Sequence, residues 1–173
     1  MDGRGFTLAE LLVVLALGSV FLAMAVPSYG FLVNSSRLAA VTNDLMSTLQ
    51  LARSEAIKRG IRVTVCKTGD AMVAAPVCNT AASWEQGWLV FVDGGTRGVI
   101  DPGDTLLWVH GQVASGTITP SSNYSRFVSY LPSGASQGSG NLANGSIRVC
   151  LAGERRDIII NNTGRPRLGS AIC

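Results

Sequence analysis

The first candidate for a chemical role is Glu10, the only charged residue between Arg4 and Arg37. It lies near the start of a long apolar run that is compatible with a membrane-spanning helix. A carboxylate beside such a segment costs up to about 3 kcal/mol, and it is normally kept for a functional reason. We therefore interpret Glu10 as a functional residue.

A second candidate group is a set of arginines near the C-terminus, where only Glu154 and Asp157 oppose them. The set is Arg148, Arg155, Arg156, Arg165 and Arg167. Grouped arginines suit phosphate contacts, which give affinity that does not depend on base sequence. No aromatic residue is interleaved among them, which argues against base stacking on single strands. The alternative is a solvated edge whose arginines pair with Glu154, Asp157 or a neighbouring subunit.

The cysteines form a third group, and all of them follow the apolar run. They are Cys66, Cys78, Cys150 and Cys173. An even number on one side of a membrane indicates an oxidising compartment and two disulfides, and four cysteines allow three pairings. The alternative is free buried thiols in a cytosolic domain. We predict Cys66–Cys78, which closes a short loop after the first strand, and Cys150–Cys173, which ties the C-terminus back to the sheet.

The remaining polar residues do not indicate catalysis. Asp93, Asp101 and Asp104 are acidic, but their spacing does not match an EF-hand, and we interpret them as part of a polar hairpin. His110 is the only histidine, so a His-based triad or a multi-histidine zinc site cannot be built. The chain also lacks a GxSxG motif and a glycine-rich phosphate loop. We predict no metal, no cofactor and no enzymatic activity.

Two interpretations of the N-terminal elements compete. In the first, residues 1–5 are a leader, residues 6–33 form a transmembrane helix half, and residues 34–60 continue as an amphipathic stalk. In the second, the apolar run is an ordinary secretory signal that is cleaved after Ala23-Met24-Ala25. We favour the first interpretation because the second leaves Glu10 inside a signal and cuts a helical pattern that continues past Ala25.

The stalk is predicted from apolar residues that recur at steps of three and four. They are Leu38, Val41, Leu45, Leu49, Ala52 and Ala56. Lys58, Arg59 and Gly60 suit the end of a helix, and Pro27 is expected to kink the helix without ending it.

Residues 61–173 are predicted to form an antiparallel β domain without an internal repeat. The Gly/Ser-rich stretch "PSGASQGSGNLANGS" is expected to be a mobile loop, and Pro166 confines the last strand to a sheet edge. The fold class is therefore α+β, with a long N-terminal helix packed on an antiparallel sheet domain. The candidate strands are Ile61–Cys66, Gly87–Val92, Thr105–His110, Arg126–Leu131, Ser146–Leu151, Asp157–Asn161 and Arg165–Leu168.

The stretch Gly5-Phe6-Thr7-Leu8-Ala9-Glu10, followed by an apolar run with Pro27 near its end, resembles the class III signal of type IV pilins and type II secretion pseudopilins. The resemblance implies that a prepilin peptidase cleaves between Gly5 and Phe6 and that the new amine of Phe6 is methylated. It also implies filament assembly through the N-terminal helix, including Glu10 and Pro27. A neighbour's ammonium group can then meet the Glu10 carboxylate, and only the correct register neutralises both buried charges.

The segments "LARSEAIKRG", "SWEQGWLVFVD", "DPGDTLLW" and "DIIINNTGRPR" resemble the GspH/FimT group of minor pilins. The paired cysteines and the Gly164–Arg167 tail favour FimT/FimU-like subunits. The resemblance implies a single-pass protein of the bacterial inner membrane with a periplasmic domain, which later joins the pilus with other major and minor pilins. It also implies binding of double-stranded DNA in natural transformation through Arg165 and Arg167 of the Gly164–Arg167 tail, with Arg155 and Arg156 as neighbours. The alternatives are a purely structural tip or priming subunit, and a minor pseudopilin H of a type II secretion system. Trp84, Trp88 and Phe91 are interpreted as core residues that pack the strand against the stalk.

Overall fold

The computed structural model describes residues 7–173, and within them it leaves out the side chains of residues 24–28. The predicted processing residues Gly5 and Phe6 lie outside the described residues. The chain divides into two compact units, one that ends at Ser36 and one that comprises Arg37–Cys173. The helix α1 runs from Leu8 to Arg59.

The N-terminal end of α1 forms a capping box between Thr7 and Glu10. The Thr7 backbone N–H donates to Glu10 Oε2 at 3.2 Å, and the Glu10 N–H donates to Thr7 Oγ1 at 3.2 Å. This reciprocal pair satisfies two of the free amide donors at the start of the helix. In the unit that ends at Ser36, large apolar side chains are exposed along the described part of the helix.

Over the described residues, no helix reaches the combined length and apolarity needed to cross a membrane. The division of α1 into a transmembrane half and a stalk stays a prediction.

The second unit contains two antiparallel sheets. The first has the order β3-β2-β1-β5-β6, and the second has the order β4-β7-β8-β9. Their strands are β1 (Val63–Lys67), β2 (Trp88–Val92), β3 (Thr105–His110), β4 (Thr117–Pro120), β5 (Phe127–Tyr130), β6 (Ser136–Gly138), β7 (Gly145–Leu151), β8 (Glu154–Ile160) and β9 (Pro166–Ile172). Short 3-10 helices lie at Trp84–Gln86 and Ser122–Tyr124. The α+β class that we predicted is confirmed.

The apolar stripe of α1 forms the centre of the core. Leu38, Leu45, Leu49, Ala52 and Ala56 are at most 2% exposed, and they belong to the same cluster as buried residues of both sheets. Burying apolar side chains gives about 25 cal/mol per Å², so this stripe is what fixes the second half of α1 on the sheets.

The three predicted aromatic core residues are all buried, but they do not share one cluster. Trp84 and Trp88 pack in the main core beside α1. Phe91 lies in a separate small cluster with Cys66, Leu89 and Phe127. The prediction that Phe91 packs against the stalk is therefore wrong: β2 alternates its side chains, and Trp88 and Phe91 are an odd number of residues apart.

Each of the seven predicted strands corresponds to an observed strand, and β4 and β6 were not predicted. The strand β6 lies inside the Gly/Ser-rich stretch that we expected to be a mobile loop. Asn123 organises this segment, because its Nδ2 donates to the carbonyl oxygens of Leu142 and Asn144 at 2.9 Å each. These contacts come from a distant part of the chain, so local composition could not reveal them.

Two disulfides are present in the described residues, with the pairing that we predicted. Cys66–Cys78 joins Cα atoms 5.6 Å apart, and Cys150–Cys173 joins Cα atoms 6.0 Å apart. The second disulfide connects β7 to the residue that follows β9, so it holds the C-terminal strand to the sheet. The strand β9 occupies an edge of its sheet, as expected from Pro166.

Candidate functional site

Three of the predicted arginines lie on one face of the second sheet. Arg148 is on β7, Arg155 is on β8 and Arg167 is on β9. The strand register pairs Arg148 with Asp157, and Ile159 with Arg167. Because side chains alternate along a strand, residues 148, 155, 157, 159 and 167 share the same side of the sheet. We call the surface formed by Arg148, Arg155, Arg167 and Asp157 the arginine face.

The arginine face lines an open groove of about 680 Å³. Besides the three arginines and Asp157, it is lined by the apolar residues Ile159 and Ile160, by Gly145 and by five polar residues. The polar residues are Asn144, Ser146, Asn161, Asn162 and Thr163. Amide and hydroxyl groups next to guanidinium groups are typical donors to phosphate oxygens. The groove is therefore chemically suited to an extended anion.

The charges of the arginine face are only partly compensated. Arg155 Nη2 donates to Asp157 Oδ2 at 3.2 Å, and Arg155 Nε lies 3.2 Å from Asp157 Oδ1 without hydrogen-bond geometry. Within the described residues, Arg148 and Arg167 form no ion pair. Three guanidinium groups and one carboxylate leave a net charge of two positive units on this face.

The other two predicted arginines lie elsewhere. Arg156 is paired in register with the buried Val149, so strand alternation puts it on the opposite side of the sheet from Arg155. Arg165 lies in the turn before β9 and lines a separate cavity together with Arg53 of α1. The structure therefore groups Arg148, Arg155 and Arg167, and it separates Arg156 and Arg165 from them.

Sequence reasoning missed Arg53, because it belongs to the stalk helix and lies far from the C-terminal arginines along the chain. Its Nε donates to the Gly134 carbonyl at 3.0 Å, and its Nη2 donates to the Thr163 carbonyl at 3.3 Å. The only signal in the sequence was that Arg53 lies between the stripe residues Ala52 and Ala56. A basic residue at such a position is also common on the solvent-exposed side of an amphipathic helix.

The three aspartates of the β2–β3 hairpin bind donors of their own loop, and Asp93 also binds Arg62 and Thr64 at β1. Asp93 accepts from Thr64 and Gly98, and it pairs with Arg62 at 2.6 Å. Asp104 accepts the backbone N–H groups of Gly94 and Asp101, at 2.9 Å each. These contacts explain the acidic residues as parts of a hairpin, in line with our interpretation. No group of metal-binding side chains occurs among the described residues.

The two predicted assembly residues belong to the unit that ends at Ser36. The Glu10 carboxylate is turned back toward Thr7 by the capping box, one helical turn from the predicted mature N-terminus. Pro27 lies inside α1, which continues on both sides of it. The assembly role of both residues stays a prediction.

Comparison with known proteins identifies the family to which this architecture belongs. The family model of the type II transport protein GspH matches residues 41–164, and the model of the prokaryotic N-terminal methylation motif matches residues 2–26. A search of curated protein sequences finds no significant match.

Two crystal forms of the type IV minor pilin FimU from Pseudomonas aeruginosa strain PAO1 have a similar fold, at 18% sequence identity. The form in space group P65 has a TM-score of 0.55, and the match covers 76% of this chain and 91% of that one. The form in space group P21 has a TM-score of 0.57, with 78% and 90% covered. Because the GspH model matches most of the chain and the N-terminal motif precedes it, this chain belongs to the GspH family of type IV pilin-like proteins.

Proposed function

We propose that this chain is a FimT/FimU-like minor type IV pilin that binds double-stranded DNA through its arginine face. The observation that carries the proposal is the groove beside Arg148, Arg155 and Arg167. Two of these arginines form no ion pair in the described part of the chain. Membership of the pilin-like family supports a role in a filament, where such a groove is presented to the surroundings of the cell.

The composition of the face favours a duplex over a single strand. Among the described residues that line the groove, none has an aromatic side chain on which a base could stack. Guanidinium, amide and hydroxyl donors can instead contact phosphates along a duplex, and such contacts carry no sequence information. The proposed binding is therefore independent of sequence and sensitive to salt.

The route to the filament is the second part of the proposal. A prepilin peptidase cleaves between Gly5 and Phe6, and the Phe6 amine is methylated. Before assembly, the chain resides in the inner membrane with its second unit in the periplasm. The N-terminal methylation motif supports this route. The two disulfides support an oxidising compartment such as the periplasm. In this proposal the chain is a structural and binding subunit, without enzymatic activity.

The binding test uses the full chain in detergent micelles and two unrelated short duplexes, with affinity measured by fluorescence anisotropy between about 50 and 200 mM salt. Arg148→Ala and Arg167→Ala should each reduce the slope of log affinity against log salt by about 0.9. Asp157→Asn should strengthen binding at low salt, because it releases Arg155 and raises the net charge of the face. Arg37→Ala, an exposed arginine on α1, is the matched control.

The proposal fails if the Arg148→Ala/Arg167→Ala double variant binds both duplexes as tightly as the wild type does. Pilus assembly in cells that carry the double variant separates the alternatives. Normal pili with lost transformation support a DNA receptor. Lost pili indicate that the arginines contact neighbouring subunits instead. Secretion measured in the same cells tests the role of a type II pseudopilin.

A further inference from the structure

A second groove lies between α1 and the edge strand β3. It has a volume of about 250 Å³ and is lined by Asp44, Ser47, Thr48, Leu51, Trp108 and His110. We call it the tryptophan groove. Trp108 is 53% exposed although it is a large aromatic residue, and the Asp44 side chain is 55% exposed. An exposed indole combines a large apolar ring with a polar N–H group, which is why Trp is enriched at interfaces.

The residues that line the tryptophan groove favour a cation as its ligand. Among the described residues that line it, the Asp44 carboxylate is the only full charge, and none is a lysine or an arginine. His110 is held in place, because its ring stacks on Trp88 with centroids 3.9 Å apart and its Nε2 lies 3.4 Å from Asp44 Oδ2. Trp is the aromatic side chain that best attracts guanidinium and ammonium groups, and a neighbouring carboxylate adds an ionic contact.

The opposite flank of the same unit carries the complementary charge. Arg53 and Arg165 line a cavity of about 340 Å³ together with Gln50, Ser54, Ile57 and Pro166. Within the described residues, neither arginine forms an ion pair. Arg53 is anchored to the carbonyls of Gly134 and Thr163, whereas Arg165 is exposed on its turn. We call this surface the arginine flank, which is separate from the arginine face.

Two independent observations put the tryptophan groove and the arginine flank on opposite sides of the unit. Asp44 and Arg53 are nine residues apart on α1, which corresponds to about two and a half turns and therefore to opposite sides of the helix. In the first sheet, β3 beside the groove is one edge, and the Gly134 turn that Arg53 contacts precedes β6 at the other edge. Opposite charges on opposite sides allow copies to associate side by side in one direction.

We infer that the tryptophan groove binds the arginine flank of a second copy of this chain, with the Arg165 guanidinium seated between Trp108 and Asp44. The contact is heterologous, because each copy uses a different surface, so it can continue from one copy to the next. It requires neither the arginine face nor DNA. Its success or failure is therefore independent of the proposed DNA binding.

The test is a disulfide cross-link between two differently tagged populations of the full chain in detergent micelles. One population carries Ser47→Cys in the tryptophan groove, and the other carries Thr163→Cys in the turn that contains Arg165. Both residues are exposed, and both replacements keep every charge of the two surfaces. The described chain has no free cysteine, so the new thiols are the ones available for cross-linking. Ser47→Cys mixed with Thr119→Cys on β4, which lies at the edge of its sheet away from β9, is the control pair.

We expect the Ser47→Cys and Thr163→Cys mixture to form the mixed dimer and the control pair to form only a background amount. Adding Asp44→Lys to the first population should lower the yield to background, and adding Arg165→Glu to the second should restore it. Raising the salt concentration should reduce the yield, because exposed charges are screened. The inference is overturned if the two mixtures give equal yields, or if Arg165→Glu does not restore cross-linking to the Asp44→Lys chain.

Discussion

The hydrogen bond between Trp88 and Thr48 offers a sensitive test of how α1 is held on the first sheet. The indole Nε1–H of Trp88 donates to Thr48 Oγ1 at 3.1 Å, and both side chains are almost completely buried. Thr48→Val keeps the shape of the side chain but removes the acceptor, so the indole donor is left buried without a partner. The expected loss is about 1–3 kcal/mol of the free energy of unfolding.

Urea unfolding followed by tryptophan fluorescence measures this loss, because Trp84 and Trp88 are both buried in the second unit. With an m-value of about 2 kcal/mol per M, the midpoint should fall by about 0.5–1.5 M. Ser47→Ala is the matched control. The hydroxyls of Ser47 and Thr48 both donate to the Asp44 carbonyl, at 2.9 and 2.7 Å, but only that of Thr48 also accepts from Trp88. Ser47→Ala should change the stability by less than about 0.5 kcal/mol.

A double-mutant cycle isolates the bond itself. In a Trp88→Phe background the indole donor is absent, so Thr48→Val should cost no more than about 0.5 kcal/mol there. If Thr48→Val costs the same in both backgrounds, its effect comes from the helix or from packing, and the reasoning from the hydrogen bond is refuted.

Three further predictions concern the core, the disulfides and the N-terminus. Tyr130 has a buried hydroxyl without a hydrogen-bond partner, and burial raises its pKa, so ionisation favours the unfolded chain. Tyr130→Phe should therefore leave stability at neutral pH unchanged or higher, and it should reduce the stability that the wild type loses above about pH 10 in urea titrations. Replacing Cys150 and Cys173 with alanine removes a cross-link that spans 23 residues and should lower the free energy of unfolding by about 3 kcal/mol; peptide mapping that joins either cysteine to another partner would contradict this pairing. Mass spectrometry of protein from membranes should find a chain that begins with methylated Phe6, and Glu10→Ala should be cleaved normally yet enter pili poorly; a normal pilus yield would remove the role of Glu10 in assembly.

Patterns that depend on neighbours along the chain were predicted correctly from the sequence. The apolar stripe of the stalk repeats with the period of a helix, and five of its six residues are buried where that period requires, while Val41 is partly buried. The β-type runs are bounded by turn residues, and each of the seven became a strand. Pro166 cannot donate to a neighbouring strand, so β9 had to be at an edge.

Contacts between distant segments could not be predicted in this way. The strand β6 pairs with β5, and the Asn123 side chain binds the carbonyls of Leu142 and Asn144 in the loop after β6; nothing in the composition of a Gly/Ser-rich segment reports such partners. Phe91 was assigned to the wrong cluster because the sequence does not show which side of the first sheet α1 covers. That side decides which β2 side chains contact the helix.

In the candidate site, too, some features followed from the sequence and others only from the tertiary structure. The sequence by itself determined that basic residues accumulate near the C-terminus, because composition and charge need no fold. Only the tertiary structure decided which of them act together, because strand register brings Arg148, Arg155 and Arg167 to one side of the sheet while alternation turns Arg156 to the other. Arg165 joins Arg53 instead, since the turn before β9 lies next to a helix that precedes it by more than a hundred residues.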